Sequence, residues 1–147
     1  AVPLNHEQSP KDLINSNTNL PFLRFPKNMI IGKQIDTQLR RFGLNLQSKF
    51  ECGNSQTLLA MVADGAGWTI TTPLILSRAK RFQSKLKVHP FPLKTFSRDL
   101  AVVASPDCSR LILDLVDKKM RKLITKHVIE LTLKNNSWMT NSFKLIQ

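Results

Sequence analysis

The chain has only two cysteines, Cys52 and Cys108, far apart and without paired spacing. A disulfide scaffold needs a denser pattern, and a zinc site needs close ligand pairs such as C-x-x-C. The two therefore read as free thiols in a reducing cytoplasm. Long apolar runs are missing too: Leu111 to Val116 is broken by Asp114, and no stretch has the length to cross a bilayer. No membrane partner is expected. Ala1 to Pro10 hold neither a basic start nor an apolar signal core, so nothing argues for export. The chain begins with Ala instead of Met, as a processed or excised piece of a longer protein would.

Catalytic and cofactor signatures are also lacking. Asp64-Gly65-Ala66-Gly67 contains a G-x-G, but a dinucleotide fingerprint runs strand, glycines, helix. Here a helical pattern comes before and a strand pattern after, with no third glycine, which makes a helix stop and a tight turn. His6, His89 and His127 are dispersed, and His127 with Glu130 one helical turn on is too little for a metal site. There is no G-x-S-x-G elbow, and no Ser or Cys lies near a His in sequence. Neither enzymatic activity nor a cofactor or metal is expected.

What is present is a globular composition over 147 residues, 41% hydrophobic and 22% charged, long enough for one domain with a real core. The balance is strongly basic, with 22 Lys and Arg against 10 Asp and Glu, a net charge of +12. Such an excess suits a nucleic-acid surface or a pocket for anions. Yet the cations are scattered, as Arg40-Arg41, Lys80-Arg81, Lys118-Lys119 and Arg121-Lys122, and the aromatic interleaving of RNA-binding sheets is absent. A solvated basic surface accounts for them; a basic nucleic-acid-binding or protein-interaction module is the alternative.

Along the chain, helix and strand patterns alternate. Residues 1–19, with Pro3, Pro10 and an Asn-Ser-Asn run, read as a linker holding one helical turn at Asp12-Leu13-Ile14. Phe22 to Phe25 is a short strand stopped by Pro26. Ile31, Ile35, Leu39 and Phe42 mark one face of a helix that ends with Arg40, Arg41 and Gly43. Lys49 to Cys52 is a second strand. Asn54 or Ser55 caps the next helix, carrying Leu58, Leu59, Met61 and Val62 up to Gly65. Trp68 to Thr71 reads as a third strand, Pro73 to Ala79 as a short helix, and Leu86 to Val88 and Leu100 to Val103 as further strands. A long helix from about Cys108 to Leu133 closes the series, its apolar stripe formed by Val116, Met120 and Leu123. A core-facing role for this helix outweighs a coiled coil, because Lys118, Lys119 and Lys122 crowd the seam. The alternation predicts a mainly parallel sheet with helices on its faces.

The order of residues resembles a known family. Leu20-Pro21-Phe22-Leu23-Arg24-Phe25, then Ile31-Gly32-Lys33-Gln34-Ile35 and Leu39 to Leu44, are similar to the opening strand and first helix of the second regulatory subdomain of LysR-type transcription regulators. Leu59-Ala60-Met61-Val62-Ala63-Asp64-Gly65-Ala66-Gly67-Trp68, leading through Thr69 to Pro73, resembles the most specific run of that subdomain. Pro90-Phe91-Pro92 and Phe96 to Leu100 look like the strand that crosses back to the first subdomain. Asn136-Ser137-Trp138-Met139 is similar to the end of its C-terminal helical region.

The resemblance implies an α/β, periplasmic-binding-protein-like (type 2) regulatory domain with the second lobe nearly complete and the first lobe partial. Residues 20–95 would be the second lobe, and residues 96–147 the return strand and C-terminal helical part of the first. The implied partners are a small-molecule effector, promoter DNA through the parent's separate N-terminal domain, and further copies of the chain. Met29, Ile30, Ile31 and Gly32, at the start of the first helix, would line the effector cleft, where free N–H groups suit an anion. Gly32 would let ligand and backbone approach closely. Thr71 and Thr72 would add hydroxyls, and Arg98 would lie at the hinge. With much of its supporting lobe lacking, the long C-terminal helix is expected to leave its stripe exposed or covered by another chain.

Overall fold

Backbone hydrogen bonds set the strand order in a computed structural model that describes residues 1–94, 97 and 99–146. The chain divides into two compact units, Ala1–Thr95 and Phe96–Gln147. In the first unit, β2 (Phe22–Arg24) pairs parallel with β3 (Ser48–Glu51), with a register shift between Phe22 and Leu23. On the other side of β2, Trp68 N–H donates to Pro21 O (2.9 Å) and Leu23 N–H to Trp68 O (2.8 Å), a parallel bridge. Thr69 and Ala1 exchange both of their N–H···O bonds, at 3.0 and 2.8 Å, the signature of an antiparallel pair. Ala1 leads into β1 (Val2–Pro3), which runs antiparallel to β4 (Leu86–Lys87). The order is therefore β3, β2, Trp68–Thr69, β1, β4, with β1 alone running against the rest.

The expected strand at Trp68–Thr71 is thus shorter than its sequence pattern. Only Trp68 and Thr69 carry ladder bonds, because Thr72 is already the cap of the next helix and Pro73 its first residue. Gly67 lets this strand enter: a Cβ there would sit 2.4 Å from Pro21 O and 2.6 Å from Leu23 Cγ.

Helix α2 (Ile30–Arg41) follows β2 and buries Ile35 and Leu39, the stripe that its periodicity predicts. Helix α3 (Ser55–Ala63) is capped by Asn54 and buries Leu58, Leu59 and Val62 completely. Helix α4 (Pro73–Arg78) passes into a 3₁₀ segment, Lys80–Lys85, that leads to β4.

The segment read as a linker, residues 1–19, is folded instead. Helix α1 (Pro10–Ile14) is fixed by a capping box between Ser9 and Asp12, with Pro10 at its first position. Its Leu13 and Ile14 join Val2, Phe22 and Trp68 in one buried cluster, where the Phe22 and Trp68 rings lie 4.7 Å apart. The polar composition conceals three well-placed apolar side chains, and burial of Val2, Leu13 and Ile14 outweighs the loop-like residues around them.

The second unit is helical. Helix α5 (Arg110–Ile124) runs through a π-helical turn, Thr125–Ile129, into α6 (Glu130–Asn135) and a 3₁₀ turn at Ser137–Met139. Thr132 Oγ1 donates to Val128 O (2.7 Å), and Asn136 Nδ2 to Thr132 O (3.2 Å). Ile129, Thr132 and Met139 are buried, but no residue of α5 is. The strand expected at Leu100–Val103 does not form: Leu100 is 65% and Val103 88% exposed. A strand requires a ladder partner, and no ladder bond among the described residues reaches this segment.

Candidate functional site

In open α/β sheets, ligands bind outside the carboxyl ends of parallel strands, where the chain turns into helices. Here three such turns lie side by side. Pro26–Met29 leads from β2 to α2, Cys52–Asn54 from β3 to α3, and Ile70–Thr72 from Trp68–Thr69 to α4. Met29 Sδ lies 3.6 Å from where a Cβ on Gly53 would stand, which brings the first two turns together.

The three helix starts are not equivalent. Asn54 Oδ1 accepts from Gln56 N–H (2.9 Å) and Thr57 N–H (3.0 Å), closing the start of α3. Thr72 Oγ1 accepts from Ile75 N–H (3.3 Å) and closes that of α4. Met29 gives α2 no side-chain cap, and its first turn holds no acidic residue. The partial positive charge of the α2 start is therefore left unanswered by the chain's own side chains.

The expected site residues divide on inspection. Ile30 is 66% exposed, and Met29 and Ile31 are half-buried at the same end. Gly32 is buried, and a Cβ on it would lie 2.0 Å from Pro26 O. Its lack of a side chain lets α2 pack closely against the turn before it. The hydroxyl of Thr72 is engaged as a cap. Thr71 Oγ1 is buried with no hydrogen-bond partner among the described residues. Arg98, the expected hinge residue, lies outside the described residues. Gly53 and Asn54 belong to the same end; Asn54 was legible only as a helix cap and Gly53 not at all, and the G-N-S run that follows the strand is the signal that marks them.

Beside this end, an ion network ties α2 to the sheet. Asp36 on α2 accepts from Arg40 Nη2 (2.5 Å) and Arg24 Nη2 (3.3 Å), with Lys27 Nζ at 3.9 Å. Arg24 Nε also faces Glu51 at 3.5 Å. Burial pushes the Asp36 carboxyl up, but hydrogen bonds from Arg40 and Arg24 and the charges of Arg40 and Lys27 outweigh it. The net result lies below the usual value of 3.8. A groove of about 440 Å³ runs along this network between α2 and the turn Leu44–Ser48. No group of three His, Cys, Asp or Glu able to hold a metal is found among the described residues. Nor is any helix long and apolar enough to cross a membrane.

Parallel strands thus deliver three helix starts to one edge of the sheet, one of them without a side-chain cap, and Thr71 lies in the turn that leads to α4. Residues 2–117 match the family model described as LysR substrate binding domain, and the chain belongs to that family. Membership brings a periplasmic-binding-protein-like type 2 fold. The match takes in residues 2–19 of the folded N-terminal segment and ends within α5. No curated protein and no solved structure matches the chain.

Proposed function

We propose that the chain is the effector-sensing part of a LysR-type bacterial transcription regulator, cytoplasmic and without enzymatic activity. The family match over residues 2–117 carries this reading. A small anionic metabolite binds at the carboxyl end of the sheet, against the uncapped start of α2 at Met29–Ile31 and the hydroxyls of Thr71 and Thr72. The buried, unpaired Thr71 Oγ1 supports this location, because a hydroxyl left unanswered costs about 1–3 kcal/mol that a ligand acceptor would recover. Residues 20–95 belong to the second lobe and residues 96–147 to the first. The effector acts through its different affinity for two arrangements of lobes and subunits, in a regulator that oligomerises and reaches promoter DNA through a separate domain.

The test is amide chemical-shift mapping with a panel of small carboxylic acids. Binding should move Ile30, Ile31 and Thr72, and Thr71→Val should weaken it without loss of fold. Shifts confined to other surfaces, or a Thr71→Val variant that binds equally well, would remove the site.

The net charge of +12 favours a second reading, direct binding to nucleic acid by the exposed Lys118, Lys119, Arg121 and Lys122 of α5. Tight binding to random duplex DNA that falls steeply with salt would establish it; negligible binding returns the choice to effector sensing.

A further inference from the structure

The groove between α2 and the turn Leu44–Ser48 is lined by none of Met29, Ile30, Ile31, Thr71 or Thr72. Its volume of about 440 Å³ lies within the range of small-molecule sites, about 300–1,000 Å³. One flank is apolar. Leu39 is buried there, and Leu44 and Leu46 are half-buried and pack against the cluster that holds Phe22 and Trp68. The other flank is charged and does not balance, with Arg24, Lys27 and Arg40 set against Asp36 and Glu51. Asp36 meets all three cations, Arg24 at 3.3 Å, Lys27 at 3.9 Å and Arg40 at 2.5 Å. Glu51 faces Arg24 at 3.5 Å and makes no other ion pair among the described residues.

One carboxylate does not neutralise three cations. The side chains of Lys27 and Arg40 are 59% and 72% exposed, which leaves both with room to turn towards a further anion. The Arg24 side chain is 11% exposed, and its Nη1 donates no hydrogen bond among the described residues. The negative end of α2 does not cancel this charge. In its last turn the carbonyls of Gln38, Leu39 and Arg40 accept from the N–H groups of Phe42, Leu44 and Gly43.

We infer that this groove is a second ligand site, for a small organic monocarboxylate. The apolar body of the ligand lies on Leu39, Leu44 and Leu46, and its carboxylate draws on Lys27 and Arg40 beside Arg24. The excess of one positive charge suits a monoanion, and the leucines suit an aliphatic or aromatic body. Asp36 is the ligand's rival, since it holds the same cations in the empty groove and repels the anion in the filled one.

Amide chemical shifts of the whole chain, titrated with phenylacetate and with its neutral counterpart phenylacetamide, test the site. Phenylacetate should move Asn45, Leu46 and Gln47 saturably, less strongly at high salt, and phenylacetamide should not move them. Lys27→Gln and Arg40→Gln, both at exposed side chains, should each weaken binding about two- to fivefold, as partly exposed ion pairs do. Asp36→Asn should tighten it by a similar factor, the reverse of what a residue that only holds the groove in shape would give. Absence of a saturable shift at Asn45–Gln47, an equal response to phenylacetamide, or an Asp36→Asn variant that binds no more tightly would overturn the site. If Asp36→Asn does not fold, Lys27→Gln and Arg40→Gln decide, and unchanged affinity in both overturns it. Shifts at Ile30, Ile31 and Thr72 belong to the site at the carboxyl end of the sheet, so failure there and failure in the groove are distinct results.

Discussion

Helices α3 and α5 carry similar apolar residues and meet opposite fates. Leu58 and Leu59 of α3 are fully buried, whereas Leu111 and Leu115 of α5 are 79% and 69% exposed. Helix α3 has a sheet to lie on. Helix α5 has the pattern of a core-facing helix but no buried residue. An amphipathic stripe therefore states what a helix is able to bury and does not supply the surface that buries it. The difference also bears on the family match, which covers all of α3 and the first half of α5. Sequence kinship reaches into a helix that buries none of its residues.

The contrast can be broken by substitution, read with the two tryptophans as separate reporters. Trp68 is 4% exposed in the first unit and Trp138 44% exposed in the second. Leu59→Ala should cost about 2–5 kcal/mol in a denaturant melt followed at Trp68, because it opens a cavity beneath α3. Gly67→Ala should come next, at about 1–3 kcal/mol, since its new methyl meets Pro21 O and Leu23 with little room for either to move. Asp36→Asn should cost less than about 1 kcal/mol near neutral pH, as partly exposed ion pairs do. It should also remove one acid-dependent component. The Asp36 carboxyl titrates below its usual 3.8, so its contribution is present above that value and is lost as pH falls through the folded one. Leu115→Ala should change stability by no more than about 0.5 kcal/mol. A loss at Leu115 as large as that at Leu59 would mean that the α5 face is covered in solution, and light scattering on the same sample would then show association.

Much of the first unit was legible in sequence because local signals agreed there. Phe22–Phe25 before Pro26, the stripe Ile31, Ile35 and Leu39, and Asn54 ahead of Leu58 each placed an element close to where it lies. Residues 1–19 misled because their few apolar positions, Val2, Leu13 and Ile14, are separated by polar residues and only converge once β1 pairs with β4. Leu100–Val103 misled in the other direction: a strand-like run stayed unpaired because pairing depends on a neighbour and not on composition. At the candidate site, hydroxyl residues before Pro73 were visible, but their difference was not. Thr72 caps α4 and Thr71 Oγ1 has no hydrogen-bond partner among the described residues, a distinction set by where each side chain points.

Family membership, the succession of helices and strands, and the basic surface were determined by the sequence alone, since each depends on residue order and charge. Tertiary structure decided the order of the sheet, the inclusion of residues 1–19 in the core, the use of Gly32 for packing, and the exposure of α5. These depend on which distant backbone groups meet and which surfaces find a partner, and neither is written in any local stretch of chain.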